Sequence, residues 1–229
     1  MRNRFRSLLT AVGLVAAGAV GPSMQSRPAM LAISGGTLLD GNGGASVPDS
    51  VVLVSDGRIA AAGPRAAIPI PAGATLIEAK GKFVLPGLVD TNVHLSLYGG
   101  TADRYETLAR YHPRQREIVL EAAQLQLFQG VTTVRDSYGV LPPLLAVRDA
   151  IASGRAVGPR ILAAGNIVGW GGPYSMSFSL IREQGLTLFQ EQVNDEISQG
   201  VGEDLVDLDL EELRAAIRAY LDKGPDFLK

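Results

Sequence analysis

A chain of 229 residues has room for one or two domains, and 46% hydrophobic residues are enough to bury a core, which argues against disorder. The formal charge of -2 offers no basic balance, which argues against nucleic acid as the main partner. There is no cysteine, so disulfides, thiolate metal sites, a Cys nucleophile and a lipid anchor on Cys are excluded; the two histidines, His94 and His112, cannot build a four-histidine metal centre.

Arg2, Arg4 and Arg6 open the chain, and Leu8 to Val20 is an apolar run with many small residues. A run of about 13 residues is short of the roughly 20 that span a bilayer, so no stable membrane span is expected in the mature chain. Ala17-Gly18-Ala19 is a plausible cleavage site. Residues 1–26 therefore read as a signal peptide, and the protein is expected in the periplasm or outside the cell. An uncleaved N-terminal membrane anchor is the other reading.

Residues 31–82 read as a small β-rich module, a partial β-sandwich. Ala32-Ile33 and Thr37-Leu38-Leu39 flank a Gly pair, and Thr75 to Glu78 and Lys82 to Leu85 suggest further strands. Val51 to Val54 and Arg58 to Ala62 flank Ser55-Asp56-Gly57. Asp-Gly between apolar runs predicts a hairpin, because Gly accepts the positive φ of the turn.

From Phe83 onward, strands and helices alternate. Phe83 to Val89 is an apolar strand ending in Asp90-Thr91-Asn92-Val93-His94. Pro113 to Gln129 predicts a helix closed by Gly130, and Val131 to Asp136 a β-branched strand. Leu144, Val147 and Ile151 have helical spacing before Gly154, and Arg160 to Val168 reads as the third strand. Phe189, Val193 and Ile197 mark another helix before Gly200. Asp209 with Glu212 is a capping-box start, and Gly224-Pro225 ends that helix. Asp226 to Lys229 reads as a fourth strand. Repeated βα units imply a parallel α/β sheet. Four strands suit a small doubly wound sheet or half of a (β/α)8 barrel. A whole barrel takes about 250 residues, and residues 83–229 are little more than half of that.

Residues two apart on a strand share a face, so Asp90, Asn92 and His94 are expected to project together from the strand end. His94 is a candidate metal ligand; its plain alternative is a core or solvated histidine. Asn92 offers a carbonyl oxygen that suits a hard cation better than zinc, and a hydrogen-bonding role is the stronger reading for it. Asp90 is expected to shape the strand end, Arg135 and Asp136 to form an ion pair there, and His112 to lie on the surface. The Gly165 to Tyr174 loop makes Trp170 and Tyr174 candidate substrate contacts, with packing over the sheet as the alternative. Its glycines lack dinucleotide-loop spacing, and the chain has no Walker A run.

Pro86-Gly87-Leu88-Val89-Asp90-Thr91-Asn92-Val93-His94 resembles the first-strand signature of the amidohydrolase superfamily, Pro-Gly-(Leu/Ile)-(Val/Ile)-Asp-x-His-x-His, with Asn92 in place of the first histidine. Ser34 to Asp40 with Val52 to Gly63 resembles its N-terminal β-module. Gly130 to Asp136, Gly158 to Gly165 and Gly224 to Lys229 resemble its second, third and fourth barrel strands, as in imidazolonepropionase-like and prolidase-like members. The resemblance implies a partial (β/α)8 TIM barrel of about the first four strands over 83–229, preceded by the β-rich module. It implies one or two divalent metals, zinc foremost, in an intact parent. His94 matches the second motif histidine and Lys229 a lysine that is often carboxylated to bridge two metals. Asn92 stands at the remaining first-strand position. The implied reaction is hydrolysis of a C–N bond in an amide, dipeptide or cyclic amide, so the implied partner is a small or dipeptide-like substrate. No catalytic residue is assigned. On this reading the chain is the N-terminal part of a longer protein, inactive alone and, with strand edges open, prone to form a homo-oligomer. A free chain end disfavours carboxylation of Lys229, since carbamate formation needs the neutral amine. Two other readings stand: a pseudoenzyme or binding protein, suggested by Asn92, and a complete small α/β domain binding an anion at its strand ends.

The basic start and short apolar run predict that the exported protein has lost its first 19 to 26 residues. N-terminal sequencing of the exported form checks this; a sequence beginning at Met1 overturns it.

Overall fold

The structure, a computed structural model, describes residues 30–97, 110–172 and 187–229. The expected signal segment, residues 1–26, lies outside them. The strands are β1 (Met30–Ser34), β2 (Thr37–Leu38), β3 (Ser50–Ser55), β4 (Arg58–Pro64), β5 (Thr75–Glu78), β6 (Phe83–Val84), β7 (Leu88–Val93), β8 (Val131–Asp136) and β9 (Arg160–Ala163). The helices are α1 (Gln115–Phe128), α2 (Leu141–Ala152), α3 (Leu188–Ser198) and α4 (Leu210–Leu221). The chain divides into two compact units between Leu85 and Pro86.

In the first unit, a four-stranded sheet runs in the order β4-β3-β1-β5, with β1 antiparallel to β3 and parallel to β5. The β3–β4 hairpin turns on Asp56 and Gly57, whose φ values of 51° and 72° are both in the left-handed region. A two-residue turn of that kind matches the right-handed twist of the strands, and it favours Asp-Gly. Ala32, Val51 and Leu53 are buried, with Ile68 and Ile70 packed against them. Phe83 and Val84 pair in parallel with Thr37 and Leu38, so the residues just before the Pro86-Gly87 run belong to this unit.

In the second unit, β7, β8 and β9 form a parallel sheet in chain order. The helices α1 and α2 connect these strands in sequence and pack on the sheet. Val119, Ala123, Val134, Leu144, Val147 and Ile161 form the centre of that core. The Asp209 carboxylate accepts the Glu211 and Glu212 N–H groups, and Glu212 reaches back to the Asp209 N–H. That satisfies donors the first turn of α4 leaves open.

The strand expected from Phe83 is thus split, with β7 beginning only at Leu88, and three further elements depart from the sequence expectation. The helix expected from Pro113 opens as a 3-10 turn over His112–Arg114, and α-helical geometry begins at Gln115. The third strand, expected to reach Val168, stops at Ala163, and Gly165 takes φ 75° two residues later. The Tyr220 hydroxyl sits over that turn, donating to the Ala164 carbonyl at 2.6 Å and accepting the Asn166 N–H at 3.0 Å. Burial pushes the Tyr220 phenol up to about 12, so it stays a donor. The fourth strand over Asp226 to Lys229 is not formed. The Asp226 N–H donates to the Ala163 carbonyl at 2.8 Å, but the Ala163 N–H is taken by the Asp226 carboxylate at 2.9 Å. A side chain thus occupies the place a backbone carbonyl needs to continue a ladder. Arg148 holds the same carboxylate and the Gly224 carbonyl, each at 2.9 Å.

The expected Arg135–Asp136 ion pair is also absent, because successive strand residues face opposite sides. The Arg135 guanidinium lies 3.9 Å from the centre of the Phe227 ring. Asp136 is fully buried and accepts the Leu95 N–H at 2.6 Å and the Tyr138 N–H at 3.3 Å. Desolvation raises its carboxyl from the ordinary 3.8 to about 7, against the pull of those two donors and of the Lys229 charge.

A carboxyl raised on folding binds more protons in the native state between its two pKa values, so its contribution to stability falls as pH rises through that window. From about pH 4 to pH 7, Asp136→Asn is expected to gain stability relative to wild type by roughly 2 to 4 kcal/mol, then to level off. Urea denaturation of both proteins across that range measures it; parallel pH profiles overturn the assignment.

Candidate functional site

The candidate residues meet where β7 and β8 end. Between Asp90 and Val93 the register of β7 against β8 shifts, with Asp90 opposite Val134 and Val93 opposite Asp136. The extra residue on β7 breaks the simple alternation expected for Asp90, Asn92 and His94. Asp90 turns onto its own strand, where its carboxylate accepts the Asn92 N–H at 3.1 Å. Asn92 reaches across to β8's end, and its Oδ1 accepts the Ser137 hydroxyl at 2.5 Å.

Ser137 is the residue the sequence reading missed. Its Oγ also accepts from Lys229 Nζ at 3.1 Å. Lys229 is held beside the loop after β9, where its carbonyl accepts the Val168 N–H at 2.8 Å. One buried hydroxyl thus joins two of the three candidate metal-binding residues, placing their polar atoms within about 6 Å of each other. A serine immediately after a β-branched strand was the available signal. It was weak, since nothing near residue 137 in the chain announces residues 92 and 229.

His94 lies just past β7. Its ring meets Tyr138 edge-on, with centroids 6.0 Å apart and planes at 85°. The buried Tyr138 donates its hydroxyl to the Gly171 carbonyl at 3.2 Å. Through Tyr138, the end of β7 and the loop after β9 share one end of the sheet. Trp170 is in that loop and 40% exposed; its carbonyl accepts the Asn166 side-chain N–H at 2.5 Å. Tyr174 lies outside the described residues. His112 is not the surface residue expected. Its side chain is 12% exposed, and its Nε2 is 2.5 Å from Glu196 Oε2.

The donors at the strand ends are an imidazole, an amide oxygen and an amine. Among the described residues, no three His, Cys, Asp or Glu side chains gather as a metal-binding group. A catalytic zinc site usually takes three protein ligands. Here the Asn92 oxygen already accepts a hydrogen bond, and the Lys229 amine donates one. A lysine ligates only after losing a proton or gaining a carboxylate. The set therefore fits part of a divalent metal's shell and not the whole of it.

No family model matches the chain. It is 37% identical over 158 residues to a 5-methylthioadenosine/S-adenosylhomocysteine deaminase of Symbiobacterium thermophilum, covering 62% of this chain and 35% of the deaminase. It superposes on molinate hydrolase with a TM-score of 0.80 at 39% identity, covering 89% of this chain and 45% of that one. For phenylurea hydrolase B the TM-score is 0.80 at 40% identity, with 87% and 44% covered. The chain thus spans less than half the length of each of these relatives. Its first-strand motif, its α/β order and these likenesses together show that the chain belongs to the amidohydrolase superfamily.

Proposed function

We propose that this chain supplies the first strands of a (β/α)8 barrel, and the small β-module before it, to a metal-dependent hydrolase of C–N bonds. The observation that carries this reading is the convergence of Asn92, Ser137 and Lys229, with His94 beside them, at the carboxyl ends of parallel strands. In a parallel barrel those ends carry the reactive groups. His94 and Asn92 would hold one divalent ion, zinc foremost, and Lys229 would join them once freed from Ser137. A bound divalent ion supplies a water of lowered pKa and polarises the carbonyl it attacks. Ser137 keeps Asn92 and Lys229 in register. Trp170, from the loop that Tyr138 and Tyr220 pin, and Tyr174 are the proposed substrate contacts. An exported location is proposed from the N-terminal segment, and a homo-oligomer for the chain by itself, in which β7 and β9 are sheet edges.

The substrate is proposed to be an amide, a dipeptide, a cyclic amide or a related urea. The likenesses to proteins named for molinate and phenylurea hydrolysis put those two compounds first in a test panel. A second reading, a binding protein on the same fold, draws support from Asn92, whose oxygen is engaged by Ser137 rather than presented.

The protein purified from its native host is expected to carry divalent metal and to hydrolyse a phenylurea, molinate or a prolyl dipeptide. His94→Ala is expected to lower bound metal and turnover at least 100-fold. The 229 residues expressed alone are expected to hold less than one equivalent of zinc, to self-associate and to show no turnover. Metal analysis, solution mass and product assay check each statement. Unchanged metal and turnover in His94→Ala sink the site assignment, and metal binding without hydrolysis in the native product favours the binding-protein reading.

A further inference from the structure

We infer that Arg148 and Asp226, neither of which bonds Asn92, Ser137 or His94, are positioning residues for the proposed site: together they fix which residue of the segment after α4 presents its side chain to Ser137. The inference rests on the hydrolytic reading for what Lys229 does, and on hydrogen bonding alone for where Lys229 is held.

Asp226 grips one residue of β9 twice. Its N–H donates to the Ala163 carbonyl at 2.8 Å, and one oxygen of its carboxylate accepts the Ala163 N–H at 2.9 Å. The same oxygen accepts Arg148 Nη1 at 2.9 Å, and that nitrogen also donates to the Gly224 carbonyl at 2.9 Å. A single bond between two extended segments can be exchanged for the next one along. Two bonds to one residue, closed by a guanidinium from α2, resist that exchange. The Arg148 and Asp226 side chains are 22% and 29% exposed, so the pair is partly shielded from water.

That grip lies on a line through three segments. Ala163 is opposite Asp136 in the pairing of β8 with β9, and the residue after Asp136 is Ser137. Three residues beyond Asp226, roughly 10 Å of extended chain, the Lys229 carbonyl accepts the Val168 N–H at 2.8 Å and Nζ donates to Ser137 Oγ at 3.1 Å. The segment is therefore tied to β9 at Asp226 and to the loop after β9 at Lys229. A slip of one residue moves an extended chain about 3.3 Å and turns each side chain to the opposite face, which would replace the Lys229 amine by Leu228. Phe227 lies under the Arg135 guanidinium at 3.9 Å, a contact that tolerates displacement better than a hydrogen bond does. What position 226 must supply is an acceptor oxygen. Asparagine carries one in the same place, and leucine carries none.

The test is amide hydrogen exchange of the protein produced in its native host and stripped of metal, read at the Val168 N–H, whose acceptor is the Lys229 carbonyl. In Asp226→Leu that exchange is expected to quicken at least tenfold, while Val119 and Ala123 in the core of α1 keep their wild-type protection. Asp226→Asn is expected to restore slow exchange. Arg148→Met, which frees the carboxylate and the Gly224 carbonyl but leaves the Ala163 bonds, is expected to quicken it at least threefold, and it supplies the reading if Asp226→Leu does not fold. For any substrate that the wild type turns over, Asp226→Leu is expected to lower kcat at least tenfold with little change in KM. Unchanged Val168 exchange in Asp226→Leu and Arg148→Met overturns the inference. So does an equal quickening in α1, which marks a merely structural role, or an Asp226→Asn protein that behaves like Asp226→Leu. Quickened exchange in a protein without any turnover leaves the positioning of Lys229 standing and counts against the hydrolytic reading instead.

Discussion

The second unit depends on a buried carboxylate at the end of β8. Asp136 takes the N–H of Leu95 from just past the neighbouring strand and that of Tyr138 from two residues on in its own segment, while its backbone carbonyl accepts from Ala164. Three segments therefore meet at one residue. Parallel strands carry no hairpin to fix their ends, so the ends diverge unless something joins them. Here a desolvated acceptor does so, at the cost of raising its own pKa. His94 on one side of that joint and Ser137 on the other inherit their positions from it.

Around that joint the candidate site is built by hydroxyls. Ser137 lies between Lys229 and Asn92, and each of the three polar groups has a defined direction of donation. Tyr220, from α4, does the same for the loop after β9, where its hydroxyl spans Ala164 and Asn166. Gly165 has no Cβ to obstruct that hydroxyl, and its positive φ turns the chain beneath it. The loop bearing Trp170 is thus positioned by a helix late in the chain. Such positioning suits a site in which small displacements matter.

The membership of the chain in the amidohydrolase superfamily sharpens the meaning of Asn92. At a position where the family motif has imidazole, an amide oxygen is a harder and weaker donor, already engaged by Ser137. The site is consequently incomplete in donors but ordered in geometry. The chain spans less than half of each relative described above, so the groups that would complete a metal shell are a matter of the proposal and not of the residues described.

What the sequence determined by itself is what local physics decides. Asp56-Gly57 specifies the hairpin because few residue pairs tolerate positive φ twice. Asp209 and Glu212 specify a helix start because their side chains reach only the first-turn donors. Gly130 and Gly154 close helices, and the β-branched run from Val131 reads directly as a strand. The superfamily, too, was legible in short motifs in the right order. Tertiary structure alone decided the rest. Ser137 meets Asn92 across 45 positions and Lys229 across 92, and His112 meets Glu196 across 84. No local propensity encodes such pairs. The fourth strand failed for the same reason: Asp226 reads as a strand residue until Ala163, 63 positions away, offers its N–H to the carboxylate. Backbone conformation follows from neighbours in sequence, whereas the partner of a polar side chain depends on which other segments the fold brings within 3 Å or so.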